Sequence, residues 1–317
     1  MAGNLNVGAL TREADIRDDD LKEDPTTGAA TGIGRDDWAT MDDGVRLHYV
    51  ERGAGPLVLL LHGFPQYWGA WRRQIPVLAD AGFRVVAPDL RGYNLSDRPA
   101  STDAYQASRL AWDVAELIKG LGESRAHVVG HDWGGVIAWH LATRHPERVR
   151  SLAVLNAPHP RRFARALRRS TQAVRSWYAG FFQIPWLPER LLELGDHALL
   201  ARVLRHSPAR AGAFDEPEIA RHRVTWRRPG AMRAALAYYR AAFSVRAAQA
   251  HRHATIATPT LVLWGMRDRY LLPSLCEGLD EWAPDVRVVR FPEASHWLME
   301  DEPERVNAEL VAFLRDV

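Results

Sequence analysis

Val128-Val129-Gly130-His131-Asp132-Trp133-Gly134-Gly135 is the stretch from which the rest of this chain is read. A short β-branched run ends there, and an apolar helical stretch from Val136 to Thr143 follows. Gly130 and Gly134 flank Asp132, two residues to either side. The pattern is a strand, a sharp turn and a helix, with a reactive side chain at the apex. Such a turn strains the apical residue and leaves no room for side chains two positions away. The amide of Trp133 then lies at a helix N-terminus, aimed where an oxyanion can form. A buried strand end closed by a capping Asp would use the same residues, so the reading needs support from the rest of the chain.

That support begins upstream. Val45-Arg46-Leu47-His48-Tyr49-Val50 alternates as a half-buried antiparallel strand does, and Leu57 to Leu61 is apolar throughout, as a strand covered on both faces is. His62-Gly63-Phe64-Pro65 follows, then a helical stretch containing Trp68 and Trp71. Arg84 to Ala87 reads as another buried strand ending at Pro88-Asp89, and Val114 to Leu121 closes a helix at Gly122. Leu152 to Asn156, Pro259 to Gly265 and Val286 to Phe291 read as further strands. A final amphipathic helix carries the stripe Val306, Leu310, Phe313 and Leu314, with Asp301 as its expected N-cap. Strands alternating with helices, after an opening antiparallel pair, predict an α/β fold with a mainly parallel, doubly wound sheet.

The alternation stops between Ala157 and about Arg246. That segment is helical in pattern, broken by prolines, and holds 17 Arg against 6 Asp and Glu. It reads as a helical cap, residues 157–246, inserted into a core formed by residues 36–156 and 247–317. Residues 1–35 are polar and lack apolar periodicity, and are expected to be a mobile arm.

Composition narrows the function. At 317 residues with 47% hydrophobic and 25% charged residues, the chain has globular values. A net charge of +2 gives no reason to expect nucleic acid. Cys276 is the single cysteine, so no internal disulfide forms. No signal-peptide pattern and no apolar run of membrane-spanning length is present. The expectation is a cytoplasmic protein, monomer or homodimer, not bound to membranes.

Asp268 follows one strand and His296 follows the last, within Glu293-Ala294-Ser295-His296-Trp297. Catalytic groups of open parallel sheets gather at the carboxyl ends of the strands. Asp132, Asp268 and His296 all fall there, in the chain order nucleophile, acid, base. His131, one residue from the apex, is read as packing; His62 as a structural loop residue; Asp89 as a capping or turn acid. A serine at the apex would suit acyl carbons. A carboxylate attacking a saturated carbon forms an ester, which water can open through a tetrahedral intermediate. Asp is already ionised at neutral pH, so its attack needs no base. His296, oriented by Asp268, would activate the water, while the amides of Phe64 and Trp133 hold the oxyanion. The substrate is then an epoxide or an alkyl halide, and water and side chains suffice without cofactor or metal.

These residues resemble the epoxide hydrolase branch of the α/β-hydrolases. The resemblance runs from about Trp38 to the C-terminus and rests on His62 to Pro65, Gly130 to Gly135, Asn156-Ala157-Pro158-His159-Pro160 and Ala294 to Trp297. It implies an α/β-hydrolase fold and addition of water to a small epoxide to give a vicinal diol. It also implies two cap tyrosines that donate to the epoxide oxygen: Tyr178 in Tyr178-Ala179-Gly180-Phe181-Phe182-Gln183, and Tyr239, rather than Tyr238, before Arg240. Phe64, Trp133, Trp177 and Phe181 are the expected substrate-binding side chains. Asn94 stands at a loop position more often held by Gly, and Asn tolerates the left-handed conformation. The alternative function is a haloalkane dehalogenase with the same Asp nucleophile, in which Trp133 and a cap tryptophan, Trp177 or Trp186, hold the halide. Trp133 and Val136 stand where fluoroacetate-cleaving relatives carry Arg, which speaks against a small acidic substrate. A catalytically dead binding protein would be expected to lack one of the three site residues. A further reading has Phe163, Leu167, Val174 and Trp177 as an apolar stripe of the basic cap for membrane interfaces, against a plain solvated helix packed on the core.

Overall fold

In the computed structural model, which describes residues 23–169, 171–242 and 255–317, eight strands form one sheet. They are β1 (Arg35–Thr40), β2 (Arg46–Arg52), β3 (Leu57–Leu61), β4 (Arg84–Pro88), β5 (Ala126–His131), β6 (Val149–Leu155), β7 (Thr260–Gly265) and β8 (Val286–Phe291). Their order is β1-β2-β4-β3-β5-β6-β7-β8. Only β2 runs against the others; it pairs antiparallel with both β1 and β4. From β4 to β8 all pairings are parallel.

The apolar run of β3 explains why it lies in the middle. Leu57, Leu59 and Leu61 point to one face and pack with α3 (Ala107–Gly120) and α4 (Trp133–Arg144). Val58 and Leu60 point to the other and pack with α2 (Ile75–Asp80) and the C-terminal helix. Full burial of such a side chain is worth about 1.5–3 kcal/mol, so a strand apolar at every position is most stable where both its faces are covered. Chain order reverses around β3, with β4 on one side and β5 on the other. The crevice at such a reversal is where open α/β sheets hold their sites.

Between β6 and β7 the chain is helical: α5 (Pro160–Arg169), α6 (Gln172–Arg175), α7 (Trp177–Phe181), α8 (Leu187–His206), α9 (Glu216–Arg227) and α10 (Ala231–Ala242). The expected cap–core junction at 246/247 lies outside the described residues. These helices share an apolar cluster of their own, with Leu200, Leu204, Phe214, Ile219, Trp226 and Leu236. The suggested interfacial stripe does not form as one face. Phe163 packs against the sheet domain, whereas Val174 and Trp177 are exposed on later helices. No helix among the described residues is long and apolar enough to cross a membrane.

Two local expectations are corrected. Residues 23–34, assigned to a mobile arm, are docked; residues 1–22 lie outside the described residues. Here α1 (Gly28–Thr31) directs the amides of Gly28 and Ala29 at the Asp36 carboxylate, each at 2.8 Å. Thr26 is buried; its carbonyl accepts from the Trp68 indole at 2.7 Å, and its hydroxyl meets Asn94 at 3.1 Å. Asp24 pairs with Arg228 at the end of α9. Asp36 also reaches buried His48 at 2.9 Å, and Asp89 holds the other nitrogen of His48 at 2.7 Å. Burial opposes a charge on His48, but the two carboxylates overcome it and raise its pKa to about 9. These polar partners are distant in sequence, so no periodicity announces them. The second correction concerns Asp301. The terminal helix, α12 (Pro303–Asp316), is preceded by Glu302, not Asp301, at its N-cap. Asp301 ends α11 (Leu298–Asp301), and its carboxylate instead receives Ser295 N at 2.8 Å and Arg210 N at 2.9 Å. The stripe Val306, Leu310, Phe313 and Leu314 is buried as expected.

Helix α4 starts hard against the end of β3. A Cβ added to Gly134 would lie 2.1 Å from the Leu61 carbonyl oxygen, which is backbone and cannot step aside. Gly134→Ala is therefore expected to cost about 1–3 kcal/mol or more, measured as a lowered thermal midpoint; an unchanged midpoint would show that the helix can lift off the sheet freely.

Candidate active site

Asp132 is the N-cap of α4, with φ 51° and ψ −119°. A non-glycine residue there is strained by about 1–3 kcal/mol. The strain is imposed by its surroundings: a Cβ on Gly130 would lie 2.4 Å from the Gly134 carbonyl oxygen. The turn lifts the Asp132 carboxylate above the sheet end. There Oδ1 accepts a hydrogen bond from the Phe64 amide at 2.9 Å. Gly63 is obligatory beside it, because a Cβ at that position would fall 2.4 Å from the Asp132 Cβ. The side chain of Asp132 remains 21% accessible.

The other oxygen, Oδ2, faces His296. Nε2 of His296 stands 3.6 Å from it, and Nδ1 is 2.7 Å from Asp268 Oδ2. Asp268, just after β7, is held by three further side-chain contacts, one of them relayed. Tyr270 N and Leu271 N donate to Oδ1 at 2.7 and 3.0 Å, Asn156 Nδ2 donates to Oδ2 at 2.6 Å, and Asn156 Oδ1 in turn accepts Gly265 N at 2.7 Å. Asn156 follows β6 and adopts φ 39°. The three expected residues thus converge from the ends of β5, β7 and β8, and Asn156 is a fourth that sequence reasoning missed. Its clue was position: a polar residue directly after a parallel strand.

Charge follows from this geometry. Burial alone would discharge His296, but Asp268 and Asp132 outweigh it and raise its pKa to about 10. Burial acts against ionisation of Asp132 as well, yet the neighbouring His296 and its charge keep it below the usual carboxylate value. The resting site is an imidazolium between two carboxylates. His131 is buried and its Nε2 lies 2.9 Å from the His296 carbonyl oxygen; burial lowers its pKa to about 3 and leaves it neutral. His62 is neutral too, with Nε2 accepting Leu90 N at 3.0 Å and a pKa lowered by burial to about 4. Both act as the packing and loop residues expected, and Asp89 is a turn acid that receives Trp68 N at 3.0 Å and Asn94 Nδ2 at 2.8 Å. Asn94 adopts φ 39°.

Opposite the carboxylate lies an aromatic wall. Tyr239 on α10 meets Trp133 and Phe64 edge-on, at centroid distances of 5.0 and 5.5 Å. Tyr178 on α7 stands 6.0 Å from Tyr239. Burial, then the Asp132 charge, pushes both phenols far above the ordinary tyrosine value, so they are held protonated. Tyr238 turns away and donates to the Arg91 carbonyl at 2.7 Å. Two expected substrate-binding residues are corrected. Trp177 is 67% exposed and touches Phe181, because adjacent helical positions diverge by about 100° and Tyr178 takes the inward one. Phe181 is half-buried behind Phe182, and it is Phe182 that packs against Phe64 at 5.9 Å and Tyr239 at 5.0 Å. Tyr270 was also missed; its ring lies 5.3 Å from His296 and 6.0 Å from Tyr178. Among the described residues no group of side chains is arranged to hold a metal ion.

The chain is similar to known proteins over most of its length. Residues 56–303 match the family model for the alpha/beta hydrolase fold. The AB hydrolase superfamily protein YfhM of Bacillus subtilis (strain 168) is 38% identical over 281 residues, covering 86% of this chain and 96% of that protein. Human epoxide hydrolase 4 is 38% identical over 284 residues, covering 87% of this chain and 77% of the human protein. The crystal structure of Bacillus megaterium epoxide hydrolase in complex with an inhibitor superposes with a TM-score of 0.79 at 32% identity, covering 88% of this chain and all of that one.

The charge state of His296 has a measurable sign. Its folded pKa of about 10 lies above the unfolded value near 6.5, so its stabilisation is complete below about pH 6.5 and fades as pH rises towards 10. The difference in thermal midpoint between the wild type and His296→Gln should be largest at or below pH 6.5 and shrink by pH 10. His48 titrates in an overlapping window but is common to both proteins. A difference constant over that range would contradict the charged pair.

Proposed function

We propose a two-step mechanism for this chain, which belongs to the α/β hydrolase fold family and, within it, to the epoxide hydrolases. The observation that carries it is the pairing of a carboxylate at the strained turn with two protonated phenols facing it.

Oδ2 of Asp132 attacks one ring carbon, and the carbon–oxygen bond of the epoxide breaks. The electron pair goes to the ring oxygen, which takes a proton from Tyr178 or Tyr239. A positioned acid of this kind contributes about 10²–10⁴-fold. Ester formation removes the charge of Asp132. That charge raises both tyrosine pKa values, so the phenols become better acids as the alkoxide develops. It also helps hold the proton on His296. The imidazolium therefore gives up its proton to the tyrosinate, by way of solvent, and becomes a base.

Neutral His296, oriented by Asp268, then removes a proton from water, which attacks Cγ of the ester. Oδ1 already rests on the Phe64 amide, so the developing oxyanion meets a donor in place, with the Trp133 amide as the second. Collapse releases a vicinal diol and restores the carboxylate beside the imidazolium. Water and side chains account for every proton. The helices α5 to α10 act as the cap that carries the two acids.

The dehalogenase alternative needs a second halide donor besides Trp133. Both cap tryptophans considered for it are on the surface, Trp177 at 67% and Trp186 at 71% exposure. The site therefore does not favour it.

The test is a paired assay on purified protein, with aryl and terminal epoxides in one arm and haloalkanes in the other. Diol without halide supports the proposal; halide without diol overturns it. Asp132→Ala should abolish turnover. His296→Gln should accumulate the ester, raising the intact mass by one substrate, and an unchanged mass would count against the second step. Tyr178→Phe and Tyr239→Phe should each lower kcat/KM on epoxides by about tenfold or more, with the fold retained.

A further inference from the structure

Asp268 heads a loop, residues 268–272, whose peptide groups are used on both sides. The amides of Tyr270 and Leu271 turn inward to the Asp268 carboxylate. The opposite side is held by the cap helix α6. Gln172 Nε2 donates to the Tyr270 carbonyl at 2.8 Å, and Gln172 Oε1 accepts the Leu272 amide at 2.9 Å. Arg175 Nη1 donates to the Asp268 carbonyl at 2.8 Å and to the Leu271 carbonyl at 3.3 Å. Gln172 is fully buried. Its side-chain amide carries a donor and an acceptor side by side, so it can pair with the loop as a strand does. One peptide group then links cap and acid. The Tyr270 carbonyl receives from Gln172, while the N–H of the same peptide, that of Leu271, donates to Asp268 Oδ1. Hydrogen bonds in series polarise one another, so the hold of Gln172 strengthens the donor on the acid.

Gln172 also reaches the segment that carries the first acid. Its Nε2 donates to Ser176 Oγ at 2.9 Å. Ser176 is the N-cap of α7, two residues before Tyr178, and its hydroxyl makes no capping hydrogen bond to that helix. We propose that Gln172 is a positioning residue that registers Tyr178 on the loop of Asp268. The proton donor of the first step and the oriented base of the second are then set from one buried side chain. The inference rests on the epoxide-opening reading above. Gln172 acts through others: through the start of α7 on one side, and through the peptide between Tyr270 and Leu271 on the other. Ser176 serves the first branch and Arg175 supports the second. Shifting α6 against the loop would leave the buried amide of Gln172 unpaired, which is costly, so loop and helix keep one register. Arg240 ties the end of α7 to the helix of Tyr239; Gln172 ties its start to Asp268.

The experiment follows the rise and decay of the Asp132 ester in a single turnover of styrene oxide, by rapid quench and intact mass. Ser176→Ala removes only the branch to α7. Ester formation should slow by about three- to tenfold, the worth of one neutral hydrogen bond, while decay of the ester stays within about twofold of the wild type. Arg175→Met removes only support of the acid loop and should do the converse, slowing decay by about threefold or more. Gln172→Leu should slow both steps. In a Tyr178→Phe background, Ser176→Ala should cost less than about twofold further, because its effect passes through that phenol. If Gln172→Leu does not fold, the two single-branch variants decide the matter. Equal slowing of both steps by Ser176→Ala and by Arg175→Met, or lowered thermal midpoints with both rates retained, overturns the assignment. Wild-type protein that forms no ester and no diol from styrene oxide or from any epoxide of the paired assay overturns the epoxide-opening reading, and this assignment with it.

Discussion

The closeness of α4 to the end of β3 is the constraint on which the site depends. With a carbonyl oxygen 2.1 Å from where a Gly134 Cβ would be, the helix can start only if the chain reverses within a single residue. That residue is Asp132, and its positive φ is the result. Because β3 and β5 are hydrogen-bonded neighbours, the loop after β3 arrives directly above the turn. The Phe64 amide thus meets the carboxylate without any movement of the main chain. The local strain, about 1–3 kcal/mol, is small beside the burial of the two apolar faces that hold β3, β5 and α4 together.

Electrostatics extends this arrangement to the ends of the later strands. Burial penalises charge on both Asp132 and His296, and their mutual attraction, with Asp268 beside His296, outweighs it. Asn156 matters here because it fixes Asp268 through the side chain while gripping the backbone of Gly265. An acid so anchored cannot rotate towards solvent, and its partner on Nδ1 keeps Nε2 of His296 towards Asp132. Neutralising one member of such a group changes the proton affinity of the rest. In the proposed mechanism the carboxylate thereby carries its own timing signal: it surrenders its charge when it reacts.

Legibility in the sequence followed the range of the forces involved. The central strands were readable because burial on both faces demands an unbroken apolar run, as in Leu57 to Leu61. The turn at Asp132 was readable because its glycines have no substitute. Asp268 and His296 were found by their places after strands. Side-chain direction was harder. Trp177, Tyr178, Phe181 and Phe182 are consecutive or nearly so, and a helix as short as α7 gives no periodicity to decide which of them turns inward. Partnerships between distant polar groups left no trace either. Thr26 with Trp68, Asp24 with Arg228, and Ser207 with Trp297 join residues dozens to hundreds of positions apart.

The helices that carry Tyr178 and Tyr239 show how such partnerships fix the relative placement of side chains. Tyr178 and Tyr239 are 61 positions apart, yet the proposed mechanism has them address one oxygen atom. Arg240, next to Tyr239, donates through Nε to the Phe182 carbonyl at 2.9 Å and through Nη2 to the Ile184 carbonyl at 2.9 Å. Gln183 returns the connection with Nε2 at 3.3 Å from the Tyr239 carbonyl. The end of α7 is thus braced to α10 by side chains that never face the substrate. Guanidinium suits this task because its fork spans two carbonyls at once and keeps its charge at any relevant pH. With the pair braced, the separation of the phenols is a property of the helical insertion itself. A movement of the whole insertion would then carry both tyrosines together relative to Asp132, without altering their separation.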